Sequence, residues 1–291
     1  MPSVEVHGTT IEYDERGEGR PLLLVMGLSG QLVDWPDDFV DLFVTRGFRV
    51  IRFDNRDAGL STEFSWEPPS RWRTLLTLLF RRKPRAGYDI DDMAGDAAGL
   101  LDRLGIPAAH VVGVSMGGMI AQALAIGHPS RVASLTSIMS NTGDGKNGRI
   151  GPRLMLKVGR MGEPTLEASV DQTLFVGRLV SGPHFDEEQV RVMVKQSIAR
   201  SYRPAGVARQ MAAIGASPDR TAGLAKVTAP TLVVHGLLDQ LVRLSGGIAT
   251  AKAVPGSRML VFPDMGHDLP RPRWEELADA ITANADRASA G

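Results

Sequence analysis

The sequence predicts an α/β fold: a mostly parallel, eight-stranded sheet with helices on both faces and a helical cap inserted after the sixth strand. Three observations carry this. Short β-rich runs alternate with stretches of helical periodicity, the pattern of a parallel sheet covered on both sides. One apolar run ends in "GVSMGG" and passes directly into a helical pattern. Residues 143–222 offer several helical pieces and no convincing strand.

The elements follow in order. "VEVHG" and "TTIEYDERG" predict an opening hairpin. Near-continuous apolar runs at 22–26, 48–53, 110–114, 134–139, 231–236 and 258–262 then predict strands buried on both faces. Helical periodicity fits 36–46, 90–104, 116–126, 245–253 and 272–287. Further helical pieces at 187–201 and 204–214 belong to the interrupting stretch. The expected organisation is a core domain from 1–142 and 223–291, a helical cap at 143–222, and a second insertion at 63–88.

Composition narrows the chemistry. The chain has 291 residues, 43% of them hydrophobic, which suffices for one large core. A formal net charge of zero gives no electrostatic footprint for nucleic acid. Cysteine is absent, which excludes disulfides, thiolate zinc sites and cysteine nucleophiles. The opening residues lack a basic start followed by an apolar stretch, so no signal peptide is expected. No apolar run approaches the roughly 20 residues of a membrane span. A cytoplasmic protein is the expectation.

"Gly113-Val114-Ser115-Met116-Gly117" is G-x-S-x-G. Alone the motif is weak, but here it follows a strand and opens a helix. In that setting a tight turn holds the serine in a strained, exposed conformation. Side chains two positions either side would collide, and the helix N-terminus aims its N–H groups at the site. The bland alternative is a tight strand-to-helix turn with an idle serine.

A serine nucleophile needs a base, and the chain has six histidines. His110 opens the strand leading to Ser115, His128 lies at the far end of the following helix, and His7 is in the hairpin. His184 falls in the cap and His235 within or at the end of a strand. His267, in "FPDMGHDLP", lies between the last strand and the last helix, on the sheet edge that carries Ser115. The base needs an acid to fix its tautomer. Asp239 follows the preceding strand on that edge, with Asp144 as rival. Asp264 and Asp268 are too close to His267 along the chain to be preferred. For the two backbone donors of an oxyanion hole the candidates are Met116 N–H and Leu28 N–H, with Gly27 allowing close approach.

Together these residues resemble the α/β-hydrolase superfamily, whose chain order is also Ser, Asp, His. "FDNRDAGLST" looks like that family's loop after the fourth strand, which makes Asp54 and Arg56 scaffold. "LLLVMGLSGQLVDWP" with "RVIRFDNRDAGLST" resembles actinobacterial carboxylesterases and the methylesterases of anthracycline antibiotics. Met26 departs from the pattern, since histidine usually precedes the glycine there. A serine in place of aspartate argues against haloalkane dehalogenases and epoxide hydrolases.

The resemblance implies a serine hydrolase of carboxylic esters acting through an acyl-enzyme, with no cofactor and no metal. Thioesters, lactones and carbon–carbon bonds use the same machinery. A cofactor-free perhydrolase or haloperoxidase is a second class, and a non-catalytic binding module a third. The expected partner is a small-molecule ester with an apolar part. Substrate-pocket candidates are Gly27, Trp35 and Phe175, with Met155, Met161, Met193 and Met211 offering apolar faces from the cap. "TLLTLLFRRKPR" reads first as a surface helix with a solvated basic end, and as a weak lipid-surface contact through 66–85 in the sharper reading.

Overall fold

The computed structural model describes residues 1–68, 84–159 and 165–288. Strands β1 (Ser3–Val6) and β2 (Thr9–Arg16) form the expected hairpin. Its two turn residues, His7 and Gly8, both take positive φ (50° and 80°), the twist a two-residue hairpin loop requires. Then come β3 (Arg20–Val25), α1 (Asp37–Val44), β4 (Phe48–Phe53), α2 (Ile90–Arg103), β5 (Ala109–Val114), α3 (Met116–Gly127) and β6 (Val132–Ile138). Helices α4 (Pro152–Gly159), α5 (Ser169–Val180), α6 (Glu187–Arg200), α7 (Pro204–Ala216) and the short α8 (Thr221–Leu224) fill the interval before β7 (Thr231–Gly236). The chain ends with α9 (Ser245–Ala253), β8 (Arg258–Phe262) and α10 (Trp274–Asp286).

All eight strands form one sheet in the order β1-β2-β4-β3-β5-β6-β7-β8, parallel from β4 to β8 and antiparallel at the hairpin end. The apolar strands split their side chains between two cores. Val25, Ile51 and Val111 pack under α2 and α3 on one face. Leu24, Val50, Val112 and Val234 pack under α1 and α10 on the other. Each buried aliphatic side chain is worth ~1.5–3 kcal/mol relative to exposure. The start of α2 is fixed by a capping box, in which Asp89 accepts from the amides of Asp91 and Asp92 while Asp92 bonds back to the Asp89 N–H.

One strand departs from expectation. β8 pairs only with β7, and four of its five residues are not buried. Its apolar run reflects a half-covered edge rather than burial on both faces. Of the basic insertion and the lipid contact expected at 66–85, residues 69–83 lie outside the described residues, as does Met161. The described flanks meet where Trp66 packs edge-on against Tyr88, ring centroids 5.7 Å apart. Among the described residues, no helix is long and apolar enough to cross a membrane.

The helices between β6 and β7 are bolted to the sheet's carboxyl edge by buried charge. Arg200, at the end of α6, donates to Asp54 Oδ2 at 2.6 Å and to Gln31 Oε1 at 2.8 Å. Arg209 of α7 forks onto Asp57, 2.9 and 3.0 Å from its two oxygens. Asp54 also accepts from the amides of Leu32 and Leu60. It and Arg56, which pairs with Asp96, serve as scaffold.

Candidate active site

β5 runs to Val114, and the chain then turns sharply into α3. Ser115 occupies that turn at φ 54°, ψ −117°, a left-handed conformation that costs a non-glycine residue roughly 1–3 kcal/mol. The flanking glycines are needed for the reason the motif implies. A Cβ on Gly113 would lie 2.1 Å from the Gly117 carbonyl oxygen, and one on Gly117 would lie 2.1 Å from the Val25 carbonyl oxygen. The Ser115 N–H is held by the Ile138 carbonyl at 2.9 Å, which pins the elbow to β6.

β7 delivers the acid. Asp239 follows its end and is 2% exposed. Its Oδ1 accepts from the amides of Leu241 (2.9 Å) and Val242 (2.8 Å), leaving Oδ2 for His267 Nδ1 at 2.7 Å. A carboxylate only accepts, so Nδ1 carries the proton and Nε2 faces Ser115 Oγ, 3.0 Å away, as an acceptor. His235 braces the acid loop from beneath. It is fully buried, and its Nε2–H donates to the Val242 carbonyl at 2.7 Å. Burial pushes its pKa down, keeping the ring neutral.

The other carboxylates are occupied elsewhere. Asp144 caps its own loop, accepting from the amides of Lys146 and Asn147, and these bonds hold its pKa low despite partial burial. Asp264 pairs with Arg273 and with His184, which bring its pKa down to about 2. Asp268 Oδ1 accepts from Gly266 N–H (2.9 Å) and Gly182 N–H (3.2 Å). Burial raises its pKa, against the pull of these two bonds.

The loop after β3 lies against the serine. A Cβ on Gly27 would come within 3.3 Å of Ser115 Cβ. Among the described residues, neither the Leu28 nor the Met116 N–H has a hydrogen-bond partner. Trp35 corrects the expectation of a substrate contact: it is 1% exposed and stacked on Phe39 at 5.9 Å, inside the aromatic core that includes Trp274. Phe175, on α5, is 40% exposed. Met155 and Met211 face solvent rather than an interior surface. An open cleft of ≈ 740 Å³ between the hairpin and α6, lined by Asp14, Arg16, Asp37, Glu188 and Met193 among others, includes neither Ser115, His267 nor Asp239.

Sequence reasoning missed the side chains that support the site from a distance. Gln210 bonds to the loop carrying Leu28, and Asp268 bonds to the residue before His267. No motif marks either one.

The comparisons with known proteins agree with the fold. A model of the alpha/beta hydrolase fold matches residues 20–270. The chain is 29% identical to the rhodomycin D methylesterase of Streptomyces peucetius, covering 92% of this chain and 92% of that protein. It is 28% identical to a non-heme haloperoxidase of Rhodococcus erythropolis, covering 98% of this chain and 97% of that protein. A solved meta-cleavage product hydrolase from Pseudomonas fluorescens IP01 matches with a TM-score of 0.76 at 19% identity, over 99% of this chain and 98% of that one, a likeness of fold alone. The chain belongs to the alpha/beta hydrolase fold family.

Proposed function

We propose that this protein is a carboxylic ester hydrolase in which Ser115 is the nucleophile, His267 the general base and acid, and Asp239 the residue that orients and stabilises the imidazolium. One observation carries the reading: the unbroken line Ser115 Oγ, His267 Nε2, His267 Nδ1, Asp239 Oδ2, with 3.0 Å and 2.7 Å spacings, at a strained strand-to-helix elbow. Ser115 Oγ attacks the ester carbonyl carbon as its proton passes to Nε2. The oxygen that gains the electron pair is received by the Leu28 and Met116 N–H groups. Collapse expels the alcohol, which takes the proton from His267 and leaves an acyl-serine. Water then attacks with His267 again as base, releasing the acid.

The likeness to a rhodomycin D methylesterase supports ester hydrolysis and puts methyl esters among the first substrates to try. The helices at 143–222 act as a cap in this reading, with Phe175 at the rim of the pocket and Gly27 on its floor. The test is hydrolysis of p-nitrophenyl esters from acetyl to palmitoyl, wild type beside Ser115→Ala. Turnover that disappears in the variant supports the reading. Turnover that persists overturns the assignment of Ser115.

Perhydrolysis is the second reading, favoured by the haloperoxidase relative that spans nearly the whole chain. Peroxide would replace water at the acyl-serine. A peracid assay in acetate and peroxide separates the two.

A further inference from the structure

We propose that Gln210, on helix α7, is a positioning residue for the oxyanion loop, an inference that rests on the ester-hydrolase reading above. Gln210 lies 181 positions from Ser29 in sequence, and its Oε1 accepts the Ser29 backbone N–H at 2.9 Å. Its Nε2 donates to the Arg56 carbonyl at 2.8 Å. The side chain is completely buried. One amide therefore ties together the loop after β3, the loop after β4 and a helix from the β6–β7 interval.

The loop shows what this tie accomplishes. The Met26 carbonyl is held by Asn55 Nδ2 at 3.0 Å, the Gly27 carbonyl by Gly30 N–H at 3.2 Å, and the Leu32 N–H by Asp54 Oδ1 at 2.7 Å. Gln210 holds the Ser29 N–H. Between these fixed groups the Leu28 N–H stays unengaged by any described residue. Ser29 adopts φ 64°, a conformation an L-residue keeps only when its surroundings hold it. The peptide that Gln210 grips joins Leu28 to Ser29, so its orientation helps set the dihedral angles at Leu28 and hence the direction of the Leu28 N–H. Catalytic donors act at full strength only when they are aimed before the charge develops. Gln210 does the aiming without touching substrate.

α7 does not depend on Gln210 for its own place. Arg209 grips the buried Asp57, and the backbone at Gly206 passes so close that a Cβ there would lie 2.2 Å from the Asp57 carbonyl oxygen. Removing the amide therefore acts on the loop more than on the helix.

The experiment compares wild type with Gln210→Met, which fills the space without bonding, Gln210→Asn, which withdraws the amide by one carbon, and Gln210→Glu, which keeps an acceptor for Ser29. Each is assayed with p-nitrophenyl acetate and with a trifluoromethyl ketone. The ketone carbon is attacked by Ser115 Oγ, the serine proton passes to His267, and the oxyanion so formed sits where the transition state's would.

Methionine and asparagine are expected to lower kcat/KM about 10- to 100-fold and to weaken the ketone by a matching factor. The pH dependence of kcat/KM should not move, because His267 and Asp239 are untouched. Glutamate should recover part of both, because it keeps the acceptor for Ser29 while losing the bond to the Arg56 carbonyl. If methionine prevents folding, asparagine carries the comparison. Wild-type rates and ketone affinity in the methionine or asparagine variant overturn the inference. So does a displaced pH profile in the methionine or asparagine variant. Ser115→Ala run alongside keeps the questions apart: turnover that survives it sinks the hydrolase reading itself, whatever Gln210 does.

Discussion

The backbone N–H of His267 donates to the carbonyl of Val180 at 2.7 Å, so the last residue of α5 grips the residue that carries the base. Around that bond the two segments of chain interlock. A Cβ on Gly266 would lie 2.2 Å from the Val180 carbonyl oxygen, and one on Gly182 would lie 2.2 Å from the Asp264 carbonyl oxygen. The helices between β6 and β7 are thus part of what holds His267 within 3.0 Å of Ser115.

Asp268 is the side chain at this junction whose loss should register in rate. Asp268→Ala leaves the Gly182 and Gly266 N–H groups without their acceptor. Orphaning buried donors costs ~1–3 kcal/mol each. A loss of about 10-fold or more in kcat/KM is expected, read by steady-state kinetics, while Asp268→Asn, which retains an acceptor oxygen, should stay near wild type.

Arg200 should matter for stability. The Asp54 side chain is 0% exposed, and Arg200 is its cationic partner at 2.6 Å. Arg200→Met leaves a buried carboxylate supported only by the Leu32 and Leu60 amides. Urea denaturation should show a loss of about 3 kcal/mol, the scale for breaking a buried pair from one side.

Gly117→Ala sets two effects against each other. Alanine gains up to ~1 kcal/mol in helix propensity over glycine. Its methyl would lie 2.1 Å from the Val25 carbonyl oxygen, and forcing such a contact costs ~1–3 kcal/mol. At that distance the upper end applies, so a net loss of ~2 kcal/mol is expected in denaturant. Activity should fall further, because relief moves either the elbow or the loop that approaches Ser115.

Stability should also fall as the solution is acidified through the histidine range. His110 is buried against Phe48, with Ser134 on its Nδ1, and burial, aided by the Arg20 charge, brings its pKa down from 6.5 to about 4. Between those values the unfolded chain binds a proton that the folded chain does not. Stability is then fully present above pH 6.5 and declines as pH drops toward 4, by at most ~3 kcal/mol. His235, also lowered by burial, acts in the same direction. Denaturation at pH 7 and pH 4.5 checks the slope, and His110→Gln should reduce it.

The sheet and the line from Ser115 to Asp239 were legible because they rest on local signals. An apolar run ending in G-x-S-x-G names the elbow. The ends of β7 and the loop after β8 select Asp239 and His267 by their shared edge, and Asp144 lost that contest because it folds back on the amides of Lys146 and Asn147. Support from a distance was illegible. Gln210 and Asp268 act through bonds to chain 181 and 86 positions away, and the sequence around them carries only helical periodicity or a short loop. Trp35 misled for a related reason. An aromatic close to the oxyanion loop looks like a pocket wall, but it stacks on Phe39 inside the aromatic core, and only packing reveals that. β8 misled because apolarity reports burial and says nothing about which face or edge receives it.

The measurement that bears most directly on the central claim is the mass of the protein quenched during turnover of p-nitrophenyl acetate, followed by peptide mapping. The account predicts one added acetyl group, carried on Ser115 and absent from Ser115→Ala. An acetyl group on any other residue, or turnover with no acylated protein at any time point, would contradict it.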